Sequence, residues 1–300
     1  MYKLPSYRYY PLLLLEKIAP IVPIPDKLYL HLKYYLRMGS WLHLKNPKKF
    51  TEKLQWLKLY GRRPIDTVLS DKYAVKDYIA KAIGSEYVIP LLGVWNKFDD
   101  INFDLLPNQF VLKCTHDSGG IVICRDKTKL DIDAARSKLE RGLKNNYYVF
   151  SREKAYRDIP RRIIAEEYRE DSATRDLRDY KFFCFDGVPK ALFIASDRQI
   201  VGEETKFDFF DMDYNHLPFT NGHPNAAIPP EKPTCFEEMK TLAAKLSDGI
   251  PHVRVDFYEV NGRVLFGEMT YSHWGGTTPF DPEEWDYTFG SWLKLPKKNK

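Results

Sequence analysis

The sequence predicts an α+β fold, with helices in its first part and antiparallel strand pairs in its second. Apolar residues recur at helical spacing up to about residue 84, whereas short apolar runs typical of strands dominate after it. Two of these runs flank Asp186-Gly187 and two flank Asn261-Gly262, and such pairs are typical of tight hairpin turns. Because hairpins join strands in opposite directions, we expect antiparallel sheets and no doubly wound parallel sheet.

The first part contains its elements in a recognisable order. Prolines at positions 11, 20, 23 and 25 predict only short helical pieces near the start. A helix is expected from Asp26 to Met38, because apolar residues follow a 3.6-residue period and Gly39 suits its end. Thr51 is the expected cap of the next short helix, and a further helix is expected from about residue 70 to 82.

The second part is expected to consist mainly of strands. One helix is expected before the Asp186-Gly187 hairpin and one after it. The expected strands are 88–94, 110–114, 121–124, 162–168, 180–185, 190–196, 253–260 and 264–269, and the expected helices are 131–145 and 236–246.

Composition narrows the protein class. Hydrophobic residues make up 44% and charged residues 29% of the 300 residues, as in ordinary globular proteins. No apolar run approaches the roughly 18–20 residues that span a bilayer, and no secretory signal peptide is recognisable. The four cysteines form no C-x-x-C pair, so we expect buried, reduced thiols and a cytoplasmic protein.

Charge is distributed unevenly along the chain. Residues 1–63 contain 13 Lys and Arg against 3 Asp and Glu, whereas the remainder contains 33 against 38. Tyrosine, tryptophan and leucine lie between these basic residues, which favours peripheral contact with an anionic membrane at its inner face. A solvated basic face on helices that pack against the rest of the protein is the simpler interpretation. No nucleic-acid partner is expected.

A glycine-rich loop lies between two predicted strands. Lys113 interrupts the first strand, and Ser118, Gly119 and Gly120 follow shortly after it. Glycines let backbone N–H groups approach an anion and a nearby lysine adds charge, so this loop is a candidate phosphate site. A plain hairpin loop is the alternative. A second lysine in an apolar strand, Lys181, favours the phosphate interpretation.

The last hairpin contains two carboxylates in otherwise apolar strands, Asp256 and Glu268. A buried carboxylate requires a partner, and Mg²⁺ accepts one or two carboxylates together with water and phosphate. A two-residue Asn261-Gly262 turn would place Asp256 opposite Gly267, with the carboxylates on opposite faces. A three-residue loop with a bulge would place Asp256 opposite Glu268. The magnesium hypothesis therefore requires the three-residue loop, and a solvent-facing strand is the alternative.

From about residue 44 to 295, the sequence resembles the TupA-like ATP-grasp proteins, named for teichuronopeptide biosynthesis and associated with bacterial surface polysaccharides. No single matching segment is specific to this family, but the number of matching segments and their order along the chain are. They are Asn46–Trp56, Asp71–Tyr73, Ile89–Trp95, Phe110–Gly120, Asp179–Gly187 and Pro282–Tyr287.

The resemblance implies the ATP-grasp fold, in which two α+β lobes hold ATP between them. It divides the chain into a basic helical segment (1–63), a small α/β region (64–108), a first lobe or lid (109–165), a second lobe with the metal site (166–295) and a basic tail (296–300). It also implies a function, the ATP- and Mg²⁺-dependent joining of a carboxylate to an amine through an acyl phosphate. The substrates would be small molecules or saccharides, such as a hexuronic acid with an amino acid or amino sugar.

The resemblance further implies roles for individual residues. Residues that would contact ATP are Lys113, Ser118, Gly119, Gly120, Lys181 and the hinge residues Glu166, Glu167 and Tyr168. Asp256 and Glu268 would hold Mg²⁺, with Thr270 where the superfamily usually has asparagine. Arg198 and Arg254 are candidates for holding the carboxylate or the transferred phosphate, and His116 for taking the amine proton.

Two other functions remain open at this point. Asp211-Met212-Asp213 is a D-x-D triplet of the kind with which glycosyltransferases hold a metal and a nucleotide sugar, although it also suits a turn. That alternative predicts a parallel nucleotide-binding sheet in the first half of the chain. A sugar kinase is the other alternative, since its ATP site would look the same.

Overall fold

The computed structural model describes residues 4–172, 177–196 and 204–298. Its helices are α1 (Ser6–Ile18), α2 (Asp26–Met38), α3 (Phe50–Tyr60), α4 (Ile65–Ser70), α5 (Ala74–Ala82), α6 (Ile132–Lys144), α7 (Tyr147–Ser151), α8 (Phe236–Ser247) and α9 (Glu284–Trp292). Its strands are β1 (Leu91–Trp95), β2 (Phe110–Cys114), β3 (Ile121–Cys124), β4 (Ile163–Glu167), β5 (Asp179–Phe185), β6 (Val188–Ser196), β7 (Lys206–Phe210), β8 (Thr220–Asn221), β9 (Val253–Val260), β10 (Arg263–Thr270) and β11 (Phe280–Asp281).

The chain packs into two units. The first unit comprises Met1–Arg63, Val149–Arg152 and Arg178–Lys300, and the second comprises Pro64–Tyr148 and Glu153–Leu177. Every strand pair in the described residues is antiparallel, which confirms the predicted α+β class. The domain boundaries drawn from the sequence stay a prediction.

The second unit is built on a four-stranded sheet in the order β1-β4-β2-β3. α6 packs on this sheet, and its start is fixed by Asp131, whose side chain accepts a hydrogen bond from the Ala134 amide. Leu139 of α6 and Phe110 and Leu112 of β2 belong to one buried apolar cluster. Because β4 lies inside the sheet, its side chains are held by neighbours on both sides.

The first unit is built on a five-stranded sheet in the order β10-β9-β5-β6-β7. An aromatic core that includes Phe183, Phe193 and Phe209 covers one face, together with Phe50 of α3 and Phe289 of α9. α8 packs on β5, β6 and β9. The charged side chains considered below lie on the strands that continue this sheet towards β10.

The N-terminal helices form a smaller core with α3, and one sequence prediction fails there. α1 continues for 13 residues through Pro11, so the expectation of short helical pieces is wrong. Pro11 is exposed, whereas Leu12 and Leu15 are buried, so packing of these leucines offsets the lost hydrogen bond. α2 has the predicted bounds, and Gly39 ends it with φ = 77°.

The start of α3 also differs from the prediction. Lys49, and not Thr51, is the residue before the helix, and Glu52 accepts backbone hydrogen bonds from Lys48 and Lys49. Thr51 lies within the first turn, where its backbone N and its hydroxyl donate to the Asp286 carboxylate at 2.9 and 2.7 Å. The local sequence predicted Thr51 as the N-terminal cap of α3, but in the structure Thr51 instead bonds the distant Asp286.

Candidate functional site

The hairpin of β9 and β10 closes with a two-residue turn. Val260 pairs with Arg263, and both Asn261 and Gly262 have positive φ, 52° and 72°. This is the conformation that Asn-Gly pairs favour in two-residue hairpins. The three-residue loop that the magnesium hypothesis required is therefore wrong.

The two carboxylates nevertheless face each other, because a bulge lies further along β10. The register shifts between Phe266 and Glu268, which leaves Gly267 as the extra residue. Beyond it Asp256 is paired with Glu268, and Thr270 with Arg254. The predicted pairing is confirmed, although it has a different structural cause.

The bulge leaves little room for a side chain at Gly267. A Cβ atom on Gly267 would lie 3.1 Å from the carbonyl oxygen of Asp256 and 3.2 Å from the ring of Tyr258. These distances are tighter than ordinary carbon contacts, so a larger residue would push the two strands apart at the position of Asp256.

Five charged residues on β5, β9 and β10 form what we call the carboxylate cluster: Asp179, Lys181, Arg254, Asp256 and Glu268. Lys181 is paired with Asp256 across the sheet, and its Nζ lies 2.5 Å from Asp256 Oδ2 and 3.1 Å from Asp179 Oδ1. The Arg254 guanidinium donates twice to Asp256, both at 2.7 Å, and lies 3.3 Å from Glu268 Oε1. Three carboxylates thus face two cations.

Burial and charge shift the pKa values of Arg254 and of its neighbour His273. Burial opposes the charge on Arg254, but Asp256, Glu268 and Asp179 raise its pKa above the usual value. His273 accepts from Arg254 through Nδ1 and faces Asn221 Oδ1 through Nε2, at 2.9 and 3.0 Å. Its pKa lies well below the usual value because of burial and the nearby Arg254 and Lys181, so it is neutral. Sequence patterns gave no signal for His273.

The oxygen atoms of this cluster suit a magnesium ion. Asp256 Oδ2 and Glu268 Oε1 both contact Nη2 of Arg254, at 2.7 and 3.3 Å. The Thr270 hydroxyl lies 3.1 Å from the same nitrogen. Two carboxylates and a hydroxyl are donors that Mg²⁺ accepts. Among residues 4–172, 177–196 and 204–298, no group of three or more His, Cys, Asp and Glu residues is arranged to hold a metal.

The second unit contains a smaller charged group, the lysine cluster of Lys76, Lys113 and Glu166. Glu166, on β4, is buried, and its two carboxylate oxygens each lie 2.6 Å from one lysine Nζ. Burial would raise the pKa of Glu166, but Lys113 and Lys76 outweigh it and hold the pKa below its usual value. Lys76 was missed from the sequence, because one lysine on an amphipathic helix is indistinguishable from a solvated one.

The glycine-rich loop is anchored at its base. Asp117 accepts from the Gly120 amide and from the Asn145 side chain, both at 2.9 Å, and Lys72 donates to its carbonyl at 2.8 Å. Ser118 and Gly119 are exposed at the tip, where their backbone amides are accessible to a ligand. The position suits phosphate binding, which stays a prediction.

His116 lies in the same loop. Its Nε2 lies 3.2 Å from the carbonyl oxygen of Asn145, and within the described part of the chain its buried Nδ1 has no hydrogen-bond partner. Burial lowers its pKa. Its role in proton transfer stays a prediction.

The remaining predicted residues are dispersed. Glu167 forms an ion pair with Arg169, and the Tyr168 hydroxyl accepts from Arg125 at 2.9 Å. Both carboxylate oxygens of Glu166 contact lysines in the structure, whereas the sequence prediction had a hinge glutamate accept hydrogen bonds from ribose hydroxyls. Arg198 lies outside the described residues.

The D-x-D triplet forms a turn. Asp211 accepts backbone N–H bonds from Asp213 and Asn215, at 2.9 and 2.8 Å, and a third bond from the Asn215 side chain. The described strands of the first half of the chain also form no parallel sheet. Neither feature expected of a glycosyltransferase is therefore present in the described residues.

Comparison with known families identifies this arrangement. Residues 52–294 match the family described as TupA-like ATPgrasp, which is most of the chain. The chain belongs to the TupA-like ATP-grasp family. This confirms the family predicted from the sequence, and the superfamily is one of carboxylate–amine ligases. The carboxylate cluster and the lysine cluster both lie within the matched residues.

Comparisons with individual proteins add less. No curated protein matches the sequence. Among solved structures, D-alanine–D-alanine ligase from Helicobacter pylori is 15% identical with a TM-score of 0.45, over 84% of this chain and 68% of that one. N5-carboxyaminoimidazole synthase from Aspergillus clavatus is 12% identical with a TM-score of 0.37, over 68% and 44%. The ATP-grasp ligase PsnB is 12% identical with a TM-score of 0.41, over 70% and 55%.

The chain thus spans about half to two thirds of the length of these structures. Likeness at this level carries no argument about activity, so the reaction is considered separately below.

In the described residues, no helix is both long enough and apolar enough to cross a bilayer. All four cysteines are buried and free, as expected from their spacing.

Proposed function

We propose that this protein is an ATP- and Mg²⁺-dependent carboxylate–amine ligase that modifies a bacterial surface polysaccharide or its precursor. The observation that carries the proposal is the pairing of Asp256 with Glu268 beside two cations, Lys181 and Arg254. Family membership supports the use of ATP. Carboxylates that hold Mg²⁺ beside cations that contact phosphate are the parts that phosphoryl transfer requires.

The proposed reaction has two steps. A substrate carboxylate oxygen attacks the γ-phosphorus of ATP, the bond to the β–γ bridging oxygen breaks, and ADP leaves an acyl phosphate behind. An amine then attacks the acyl carbon, loses a proton and displaces inorganic phosphate, which leaves an amide. Mg²⁺ held by Asp256, Glu268 and Thr270 would neutralise phosphate charge. Lys181 and Arg254, which neutralise Asp256 in the structure, would contact the transferred phosphoryl group.

In this proposal the lysine cluster is a phosphate-binding group of the second unit. Glu166 orients Lys76 and Lys113, which are held with their Nζ atoms on either side of one carboxylate. A triphosphate carries more charge than Glu166 and attracts both lysines more strongly. The Ser118-Gly119 tip adds backbone N–H donors.

One loop of the first unit supports a saccharide substrate. Directly after β10, Trp274, Gly275 and Gly276 all have positive φ, which is rare and strained for tryptophan. Gln55 and Lys58 of α3 hold this loop by donating to the carbonyl of Gly275 at 3.0 and 2.8 Å. The Trp274 indole is 41% exposed, and an exposed indole is a flat apolar surface of the kind on which sugar rings pack.

Oxygen-isotope transfer tests the proposed reaction. Pairs of uronic acids and amino acids or amino sugars are screened for ADP release, and the active carboxylate is then labelled with ¹⁸O. An acyl phosphate transfers one labelled oxygen to inorganic phosphate, which mass spectrometry detects. ADP release should require both the carboxylate and the amine.

Two outcomes would contradict the proposal. Label absent from phosphate, with an amide formed, would exclude the acyl phosphate. ADP release with a sugar that has no carboxyl group, and phosphate found on the sugar, would establish a kinase instead.

A further inference from the structure

Exposed apolar side chains follow one line along α1 and the turn after it. Tyr7, Tyr10 and Leu14 are spaced by three and four residues, which places them on one side of α1, and Ile21 lies in the turn that follows the helix. They are 72%, 68%, 58% and 82% exposed. We call these four residues the α1 stripe. Scattered single apolar residues on a surface need no explanation, but a continuous row of large ones does.

The α1 stripe is separate from the face with which α1 packs. Leu12 and Leu15 are buried, and Leu15 belongs to the small N-terminal core with Tyr29 and Tyr34 of α2. α1 is therefore apolar on two sides, one buried and one exposed. Internal packing accounts for the first side only.

Apolar exposure continues into α2. Val22 lies in the connection between the helices and Leu28 in the first turn of α2, and both are exposed. Trp41 is exposed as well and stacks on Tyr35, with ring centroids 4.5 Å apart. Exposed tyrosine and tryptophan with an apolar body and a polar edge are typical of the membrane–water interface.

The charges around these residues favour an anionic surface. Lys17 lies on the same helical line as the α1 stripe, and Lys27 begins α2; both are exposed. The acidic residues nearby are already paired, Glu16 with Lys33 at 3.1 Å and Asp26 with Arg152 at 3.4 Å. The segment therefore presents positive charge, as expected from its 13 basic and 3 acidic residues.

We propose that α1 and the turn after it dock the protein on an anionic lipid bilayer, with the α1 stripe inserted at the headgroup level and Lys17 and Lys27 on lipid phosphates. A charged soluble partner would not require the large apolar row, and a neutral apolar partner would not require the lysines. An anionic bilayer accommodates both. Docking of this kind holds an enzyme near lipid-linked substrates and is independent of the ATP chemistry.

The test is sedimentation of the whole chain with vesicles of phosphatidylglycerol and phosphatidylcholine, compared with phosphatidylcholine alone. We expect binding to the anionic vesicles that falls steeply between about 0.05 and 0.5 M salt. Added salt shortens the Debye length and so screens the attraction between the lysines and the lipid phosphates. Leu14→Ser with Ile21→Ser should weaken binding at least about tenfold, since it removes apolar area from the bilayer. Lys17→Gln with Lys27→Gln should weaken it about fivefold for each lysine.

A matched control variant comes from exposed apolar residues elsewhere. Leu105 and Ile228 are 82% and 86% exposed and lie outside α1 and α2, so Leu105→Ser with Ile228→Ser should bind like the wild type. All substituted side chains are exposed, so thermal unfolding should be unchanged. Equal loss of binding in the control, equal binding to both vesicle types, or no binding to either would overturn the proposal. Self-association that depends on the α1 stripe without vesicle binding would assign this surface to a protein contact and also overturn it.

Discussion

The carboxylate cluster of the first unit and the lysine cluster of the second unit have opposite charge balance. Asp179, Asp256 and Glu268 face Lys181 and Arg254, so the carboxylate cluster has one excess negative charge. In the lysine cluster a single carboxylate, Glu166, faces Lys76 and Lys113. One arrangement attracts a divalent cation and the other attracts a phosphate.

We infer from this difference that the two clusters bind different ligands. Among the contacts described above each cluster has one charge in excess, and each excess has the sign of the ligand that we propose for it. A purely structural role for either cluster is the alternative. The predictions below test the two clusters separately, from the largest expected effect to the smallest.

Glu268→Gln should have the largest effect, because it removes one of the two carboxylates proposed to hold Mg²⁺. We expect kcat/KM to fall by about 100-fold or more, with a higher Mg²⁺ concentration needed for half-maximal rate. The Glu268 side chain is 44% exposed, so the melting temperature should stay close to that of the wild type. Steady-state rates over a magnesium titration measure both quantities.

Glu231→Gln is the matched control, since Glu231 is an exposed carboxylate in the same unit. If Glu268→Gln keeps the magnesium dependence of the control, the carboxylate cluster is structural and the metal assignment fails.

Lys113→Met and Lys76→Met should each raise the KM for ATP by about tenfold to 100-fold, because a hydrogen bond to a charged group contributes about 1.5–3 kcal/mol. kcat should change less than KM if the lysines act mainly in binding. Lys138→Met, an exposed lysine of the same unit, provides the comparison in an ATP titration. An unchanged KM combined with a lower melting temperature would mean that the lysines only neutralise Glu166.

Gly267→Ala should weaken the carboxylate cluster through its backbone. The added Cβ would press on Asp256 and Tyr258, so we expect unfolding free energy to fall by about 1–3 kcal/mol and activity to fall with it. Urea denaturation and initial rates measure these effects.

For the unfolding measurement, Gly119→Ala offers a matched glycine, because its added Cβ would meet nothing closer than Asp117 Oδ2 at 3.6 Å. Similar losses of unfolding free energy in both variants would argue against a specific role for the bulge.

Asp286→Asn tests a carboxylate outside both clusters and should have the smallest effect. Burial raises the pKa of Asp286 to about 6 from its usual 3.8, although hydrogen bonds from Thr51 oppose the shift. The folded state then binds the proton more tightly than the unfolded state, so this group favours folding below about pH 4 and loses that contribution as pH rises to 6.

Relative to Asp286→Asn, the wild type should therefore lose about 1–2 kcal/mol of unfolding free energy between pH 4 and pH 6.5. Denaturation of both proteins across this interval measures the difference. A pH-independent difference would show that Asp286 has an ordinary pKa.

Much of the fold could be read from local patterns. α2 has its predicted bounds, and β2 and β3 do as well, because helical and strand periods and a terminal glycine act over a few residues. The turn at Asp186-Gly187 also forms as expected, with positive φ at both residues. The predictions failed where distant residues intervened, as at Thr51, whose hydroxyl bonds Asp286.

The candidate site was only partly predictable for the same reason. Asp256, Glu268, Arg254 and Lys181 stand out as charges in apolar strands. Lys76 and His273 do not, because their partners are 90 and 19 residues away in sequence and no local pattern connects them.

The pairing of Asp256 with Glu268 shows most clearly what the sequence determined and what it left to the tertiary structure. Asn261-Gly262 determined a two-residue turn, because both residues tolerate positive φ. That turn alone would place the carboxylates on opposite faces of the hairpin. Gly267 restores the pairing, and its bulge depends on packing against Asp256 and Tyr258 in a strand that also pairs with β5. Local residues fixed the turn, whereas contacts on both sides of β9 decided the register beyond it.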